Sequence, residues 1–372
     1  MSTRCVVDLD SGSVGVCSLA LEDTPHISGV LRLPFTAQPG DPGALEVALL
    51  AALRTALDSL KDVPADAPVD VVVASPWFDA SLIALEGRQS GTISELERRR
   101  LIEEARAQYP TAPHLASLEE LSVETRVNGH VTTLTNPVHG GQLSVLLYRS
   151  VADASFITRV QDVIHAARPH APVFWHTTPT VYAGALRAVR SDAYTIIDVG
   201  SEVTDLVLMS QGVIRALRSV PAGYRTIART IAPDRPLADT LSRLSMLARA
   251  ELRAPEADAL QSQLSRAAHA FADPLITALK DAGNSAPFTH QVLLIGDSDA
   301  LVWLPQVVDL VQFGGRPLQS TLVDHELLRG LATFGASGVF DASLVTASLF
   351  FHTTKHKSRK KSWIERVLYS TL

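Results

Sequence analysis

The run Ile196-Ile197-Asp198-Val199-Gly200-Ser201-Glu202-Val203-Thr204-Asp205-Leu206-Val207-Leu208-Met209 sets two β-rich apolar segments on either side of a small, acidic turn. That is the pattern of a hairpin. Moving back 190 positions, Cys5-Val6-Val7-Asp8-Leu9-Asp10-Ser11-Gly12-Ser13-Val14-Gly15-Val16 repeats the profile, with Asp8 over Asp198 and Ser11 over Ser201. Two such hairpins half a chain apart indicate an internal duplication. The chain therefore reads as two similar α/β lobes, each pointing an acidic turn into the cleft between them.

The second hairpin continues through Ser210-Gln211-Gly212 into a third strand, Val213–Val220, and then Pro221-Ala222-Gly223, where a helix begins. Helical patterns at Gly43–Leu60 and Thr178–Ser191 and an apolar strand at Val69–Ala74 complete lobe one. From about Trp77 to Ala171 the pattern is that of a separate α+β insert. Thr92-Ile93-Ser94-Glu95 reads as a capping box ahead of a helix to about Gln108. Strands are expected at Leu115–Val127 and His130–Leu134 around Asn128-Gly129, then a strand at Gln142–Arg149 and a helix over Ala152–Ala167. Residues 237–283 carry two helices and no clear strand, Gln291–Ile295 is a buried strand, and helices follow near Leu301–Gln312 and Leu322–Phe334.

The chain has 372 residues, 46% hydrophobic and 19% charged, enough apolar material for a sizeable core and too much for disorder. Its two cysteines, Cys5 and Cys17, exclude a disulfide framework and any Cys-rich zinc site. His139, His170 and His176 lack zinc-ligand spacing. Asp8 and Asp10 stand where a signal peptide needs a basic, then apolar, start. The best apolar run, Gly335–Phe351, contains Asp341 and falls short of the ~20 residues that cross a bilayer.

With these features the sequence resembles the actin-like ATPase superfamily, in its FtsA and PilM branch. Asp8–Ser13 looks like the first phosphate loop, Asp198–Asp205 like the second, and Ile295–Ala300 holds the place of the adenosine loop. Val127-Asn128-Gly129 and Asn136-Pro137-Val138-His139-Gly140 resemble stretches of the inserted 1C subdomain of FtsA. The resemblance implies an actin-like, ribonuclease H-like duplicated fold. Lobe one covers 1–76 and 172–193 with a helix near 322–351, and the 1C-like insert covers 77–171. Lobe two covers 194–223 and 291–321, with a reduced helical 2B-like region at 224–290.

Successive N–H groups in two facing small-residue turns can clamp a polyphosphate, with carboxylates holding Mg²⁺ through water. The resemblance thus implies ATP and Mg²⁺, contacted by Asp8, Ser11, Gly12, Ser13, Asp198, Gly200, Ser201, Asp205, Gly296 and Asp297, the metal falling to Asp8, Asp198 and Asp205. Asp10 and Glu202 stand where the family has glycine, and Gly296-Asp297-Ser298 where it usually has three glycines. Two like charges ~4 Å apart repel by about 4 kcal/mol at an effective dielectric near 20, so carboxylates added beside a triphosphate weaken its binding.

Net charge is −6, yet Lys355, Lys357, Arg359, Lys360, Lys361 and Arg366 against Glu365 leave residues 355–366 at +5 and the rest of the chain at −11. A basic linker, 352–361, precedes residues 362–372. On a helical wheel Trp363, Ile364, Val367, Leu368, Thr371 and Leu372 fill one half, and Glu365, Arg366, Tyr369 and Ser370 the other. A short amphipathic helix beside clustered bases, notably Lys357, Arg359, Lys360 and Lys361, suits an anionic membrane interface better than nucleic acid. It looks like the membrane-targeting helix of FtsA.

The reading that results is a cytoplasmic scaffold, peripheral on the inner face of the plasma membrane, that links an FtsZ-like filament or another divisome component to the lipid. Self-association into protofilaments and weak or lost ATPase activity go with it. The alternatives are a PilM-like scaffold of type IV pilus assembly and an ATP phosphotransferase of the sugar-kinase kind.

Overall fold

The structure is a computed structural model and describes residues 2–36, 41–284, 288–335 and 339–359. It divides into two compact units, one built from residues 1–77 and 159–350 and the other centred on residues 78–158.

The first unit contains two sheets with one plan. In one, antiparallel strands His26–Pro34, Ser13–Leu21 and Ser2–Leu9 are followed by parallel strands Val69–Val73 and Val173–Thr177. In the other, antiparallel Val213–Val220, Thr204–Ser210 and Tyr194–Val199 are followed by parallel Gln291–Gly296 and Gln319–Leu322. Correspondence extends to the register: Asp8 lies beside Val72 and Asp198 beside Ile295. The central strands are buried on both faces, which is why Val69–Val73 is buried at every position, its one polar residue Asp70 taking Arg4 as partner.

Two helices fill the middle of this unit. Thr178–Leu186 is buried almost throughout, and Gly184 leaves room for Phe350 of helix Ala342–Arg359, since a Cβ there would stand 2.5 Å from the Phe350 ring. Pro42–Ser59, capped by Asp41 accepting from Ala44 N at 2.9 Å, covers the first sheet with Leu49, Leu53 and Ala56. Tyr224–Ile231, Leu237–Ala248 and Ala254–Gly283 pack together around Leu244, Leu264, Phe271 and Leu275 beside the second sheet.

The second unit is an antiparallel sheet in the order Asp79–Ile93, Val138–Asp153, Leu115–Val127, His130–Val131. Helix Glu95–Gln108 lays Leu101, Ile102 and Ala105 on a core of Leu85, Ile93, Val127, Leu143 and Val145. Asn128 and Gly129, at φ 51° and 81°, form the hairpin turn, and Asn128 Oδ1 accepts from Gln142 N at 2.9 Å.

Several expectations change. The helix expected at Leu322–Phe334 is instead a strand end, a turn in which Asp324 Oδ1 accepts from Leu327 N at 2.9 Å, and the short strand Thr333–Phe334. Gly330, at φ 79°, interrupts the helical pattern, and the last helix starts only after its cap, Asp341, whose Oδ1 accepts from Leu344 N at 3.0 Å. The capping box does not form: Ser94 is the cap without a side-chain bond, and Glu95 turns to Arg98 at 2.8 Å. The 15-residue strand Asp79–Ile93 has no counterpart in the sequence reading, because as an edge strand it mixes Ser, Gly and charges without clean alternation. No helix among the described residues is long and apolar enough to cross a membrane.

Candidate functional site

The duplicated hairpins bring their turns together. Each closes in the same way, Asp10 N donating to Ser13 O at 3.1 Å and Gly200 N to Val203 O at 3.0 Å. They then bond to each other. Ser11 Oγ accepts from Glu202 N at 2.9 Å, and Ser201 Oγ lies 3.3 Å from Asp10 Oδ2. Arg225, buried, donates to Gly12 O at 3.0 Å and Phe35 O at 2.8 Å. Gly12 is required by this closeness: a Cβ there would fall 2.4 Å from Ser201 Oγ and 2.7 Å from the Arg225 guanidinium carbon.

Beneath the first turn lies a guanidinium that the sequence reading passed over. Asp8, Gly15 and Arg32 are register neighbours across three strands, and the bare Gly15 lets the Arg32 side chain cross to Asp8. Arg32 donates to Asp8 Oδ2 at 2.7 Å, to Asp341 Oδ2 at 2.5 Å and Oδ1 at 3.0 Å, and to Ser13 Oγ at 2.8 Å, and stands 3.5 Å from Asp297 Oδ1. Asp297 also accepts from Tyr224 OH at 2.9 Å, and that hydroxyl lies 2.9 Å from Ser201 Oγ. Arg32, Asp341, Tyr224 and Arg225 are thus site residues the motif reading missed; the available signals were a lone Arg in the apolar run Val30–Leu33 and an Asp capping a helix.

The expected carboxylates take different partners. Asp205 accepts from Ser75 Oγ at 2.8 Å and Ser219 Oγ at 2.5 Å. Glu202 turns to Arg229, which donates from Nη1 to Oε1 at 3.1 Å and from Nη2 to Oε2. Asp198, Gly200, Gly296 and Asp297 line a small cavity with Asp8 and Arg32. Of the membrane residues, Lys357 and Arg359 fall on helix Ala342–Arg359 but their side chains, like all of Lys360, Lys361, Trp363, Ile364, Val367, Leu368 and Leu372, lie outside the described residues.

Electrostatics follow from burial against one cation. Burial pushes Asp8 up, opposed by Arg32; burial and then Asp8 push Asp10 up. Burial, reinforced by Asp205, Asp10 and Asp8, drives Asp198 well above the usual carboxylate range. Asp205 is raised by burial against its two serine hydroxyls, and Asp297 is pushed up by burial to about 6 in spite of Arg32. For Asp341 burial acts upward, but the Arg32 charge and hydrogen bonds outweigh it and the carboxyl is held low.

This order, a duplicated sheet plan with paired acidic turns, has a counterpart among solved structures. A chain of a PilM–PilN type IV pilus biogenesis complex superposes with a TM-score of 0.64, covering 95% of this chain and 98% of that one at 14% identity. The chain has the actin-like ATPase fold. Other solved structures with the actin-like fold align less closely. The ethanolamine utilization protein EutJ from Carboxydothermus hydrogenoformans gives 0.48 at 12% identity over 94% of this chain and 90% of its own. MreB5 of Spiroplasma citri bound to ADP gives 0.48 at 11% identity over 97% and 99%. No protein-family model and no curated protein sequence matches the chain.

The ATP and Mg²⁺ implied by this actin-like fold do not fit the residues as they stand. The cavity measures about 10 Å³, roughly one water probe. Asp8, Asp198 and Asp205 do not share a metal position, and among the described residues no three or more His, Cys, Asp or Glu are arranged to hold one.

Proposed function

We propose that the chain is a membrane-tethered scaffold of the actin-like fold, of the FtsA type, that links a filament-forming partner such as an FtsZ-like protein to an anionic cytoplasmic membrane surface. The observation that carries this reading is the course of helix Ala342–Arg359. Its first turns are buried in the core, and its sequence runs without interruption into Lys355, Lys357 and Arg359, immediately ahead of Lys360, Lys361 and the one-sided wheel from Trp363 to Leu372. Clustered bases near anionic lipid are worth about 1 kcal/mol each, and an apolar face with an indole adds interfacial burial.

In this reading the sheet-and-helix unit 78–158 is the 1C-like partner surface, the lobes support self-association into protofilaments, and the chain works at the inner face of the membrane. The three helices from Tyr224 to Gly283 stand for a 2B region without strands among its described residues, so an extended partner tail would pair elsewhere. A PilM-like scaffold, which binds a partner without its own lipid anchor, is the second reading. It is favoured by the overlay on the PilM–PilN chain across nearly the full length of both.

Flotation with vesicles containing anionic lipid separates them. Full-length protein is expected to float and a version ending at Phe351 to stay behind. If neither floats, the tether is wrong and the PilM-like reading takes its place.

A further inference from the structure

We infer that Arg32 is a built-in counter-ion occupying the charge centre of the cleft, and that with it the two turns are sealed by the chain's own groups and closed to nucleoside triphosphate. An actin-like cleft presents donors to phosphate oxygens and acidic groups to a metal. Here members of both sets are already engaged by the chain's own groups.

On the acidic side, Arg32 meets Asp8 from the first strand, Asp341 from the cap of the last helix and, at 3.5 Å, Asp297 from the end of the strand Gln291–Gly296 in the second sheet. A guanidinium stays charged at any physiological pH and fits carboxylates as a planar fork, so it offsets one of the cluster's negative charges permanently. A divalent ion would need about six oxygens in near-ideal geometry, and of the three carboxylates expected to serve it Asp8 is turned to Arg32 and Asp205 to Ser75 and Ser219, which leaves Asp198 at the cavity.

On the donor side, Glu202 N is used by Ser11 Oγ, Asp10 N by Ser13 O and Gly200 N by Val203 O. The two forks of Arg225 are used by Gly12 O and Phe35 O. Trp77 Nε1 donates to Asp10 O at 3.0 Å and covers the same turn. The side chain of Asp10 occupies space against Gly200, where even a Cβ would come within 2.7 Å of its Oδ1. The cavity lined by Asp8, Arg32, Asp198 and Asp297 has space for about one water. Three of the departures from glycine noted in the loops therefore have a role: Asp10 packs the joint, Glu202 pairs with Arg229, and Asp297 joins the Arg32 cage. The lobes are held in one relation by residues, where a nucleotide-driven relative would use its ligand.

Calorimetry of the full-length protein with ATP, ADP and AMPPNP, each at millimolar concentration with Mg²⁺, tests the sealed cleft. No saturable heat and no rise in Tm is expected; saturable binding below about 1 mM, with a matching rise in Tm, overturns it. The counter-ion role is tested by the Asp341→Asn variant, which keeps an oxygen for the helix cap and removes one charge from Arg32, and by Arg32→Ser. Arg32→Ser is expected to lower Tm on the order of 10 °C, because it strands buried carboxylates, and Asp341→Asn by less. If Arg32→Ser does not fold, Asp341→Asn decides. A Tm unchanged in either soluble variant overturns the counter-ion role.

Discussion

Ser11 Oγ and the backbone N–H of Glu202, 191 residues apart in sequence, are 2.9 Å apart in space and join the two halves of a duplicated chain at their equivalent turns. The bond uses a hydroxyl of the first turn to satisfy an amide of the second, so neither turn is left facing open solvent. Around it, Arg225 and Ser201 reach across in the same sense. A joint of this density responds sharply to any added volume.

Gly12→Ala puts a methyl group 2.4 Å from Ser201 Oγ and 2.5 Å from its Cβ. The turns must part to accept it, and overpacking of this kind costs roughly 1–3 kcal/mol. Gly283→Ala, at the end of helix Ala254–Gly283 with nothing within 4 Å, is expected to stabilise by a few tenths to about 1 kcal/mol. Thermal melts of the two variants should move in opposite directions. Equal shifts would mean that the turns do not pack as described.

Acid should stabilise this protein over a range in which most lose stability. A carboxyl raised on folding contributes stability that is complete below its unfolded value, near ~3.9, and lost as pH climbs through the folded one, about 6 for Asp297. Asp297 faces Arg32, Asp10, Ser13, Tyr224 and Asp341, and only the guanidinium and the two hydroxyls favour its charge. Asp8, Asp10, Asp198 and Asp205 are raised too and act in the same sense. Asp341 is lowered, so its contribution is present above the unfolded value and lost only at still lower pH. Stability at pH 5 is therefore expected to exceed that at pH 7, by about 1 kcal/mol from Asp297. Asp297→Asn should flatten the slope, and a melt that weakens steadily from pH 7 to 5 would refute the assignment.

Asp205 was assigned to metal in the loop pattern, and its environment suggests a different test. Its Oδ1 takes hydroxyl bonds from Ser75, in the turn after strand Val69–Val73 of one sheet, and from Ser219, on strand Val213–Val220 of the other. Ser75→Ala removes one of two hydroxyl donors from a buried carboxyl, an expected loss of about 1–3 kcal/mol. Ser219→Ala should cost a similar amount, and the double variant should depart from the sum, because both act on one oxygen. Strict additivity in denaturant melts would show that the two do not share Asp205.

What could be read from the chain was whatever is encoded locally. The paired hairpins are legible because each keeps an Asp at the end of its first strand and small residues in its turn, and the turns close at positions offset by the same 190 residues. The Asn128-Gly129 turn is legible because both positions need positive φ. Arg32 is not legible, since Asp8 and Asp341 are 24 and 309 residues away and only the strand register shows Gly15 clearing its path. Likewise, Gly330 and Asp341 displace the last helix by means that apolar spacing does not register.

The lipid tether rests on one apolar face, and Trp363 is its largest group. Trp363→Asp replaces an indole that favours the membrane interface with a charge that anionic lipid repels. Position 363 falls beyond Arg359, the last described residue, and the melting temperature is expected to stay within about 1 °C while flotation with anionic vesicles is lost. Substituting Lys360 and Lys361 by Gln should weaken flotation most at high anionic lipid fraction and reduce its salt sensitivity without abolishing it, since Lys355, Lys357, Arg359 and Arg366 remain. Flotation unchanged by Trp363→Asp would reject the amphipathic face and leave basic charge alone as the attachment.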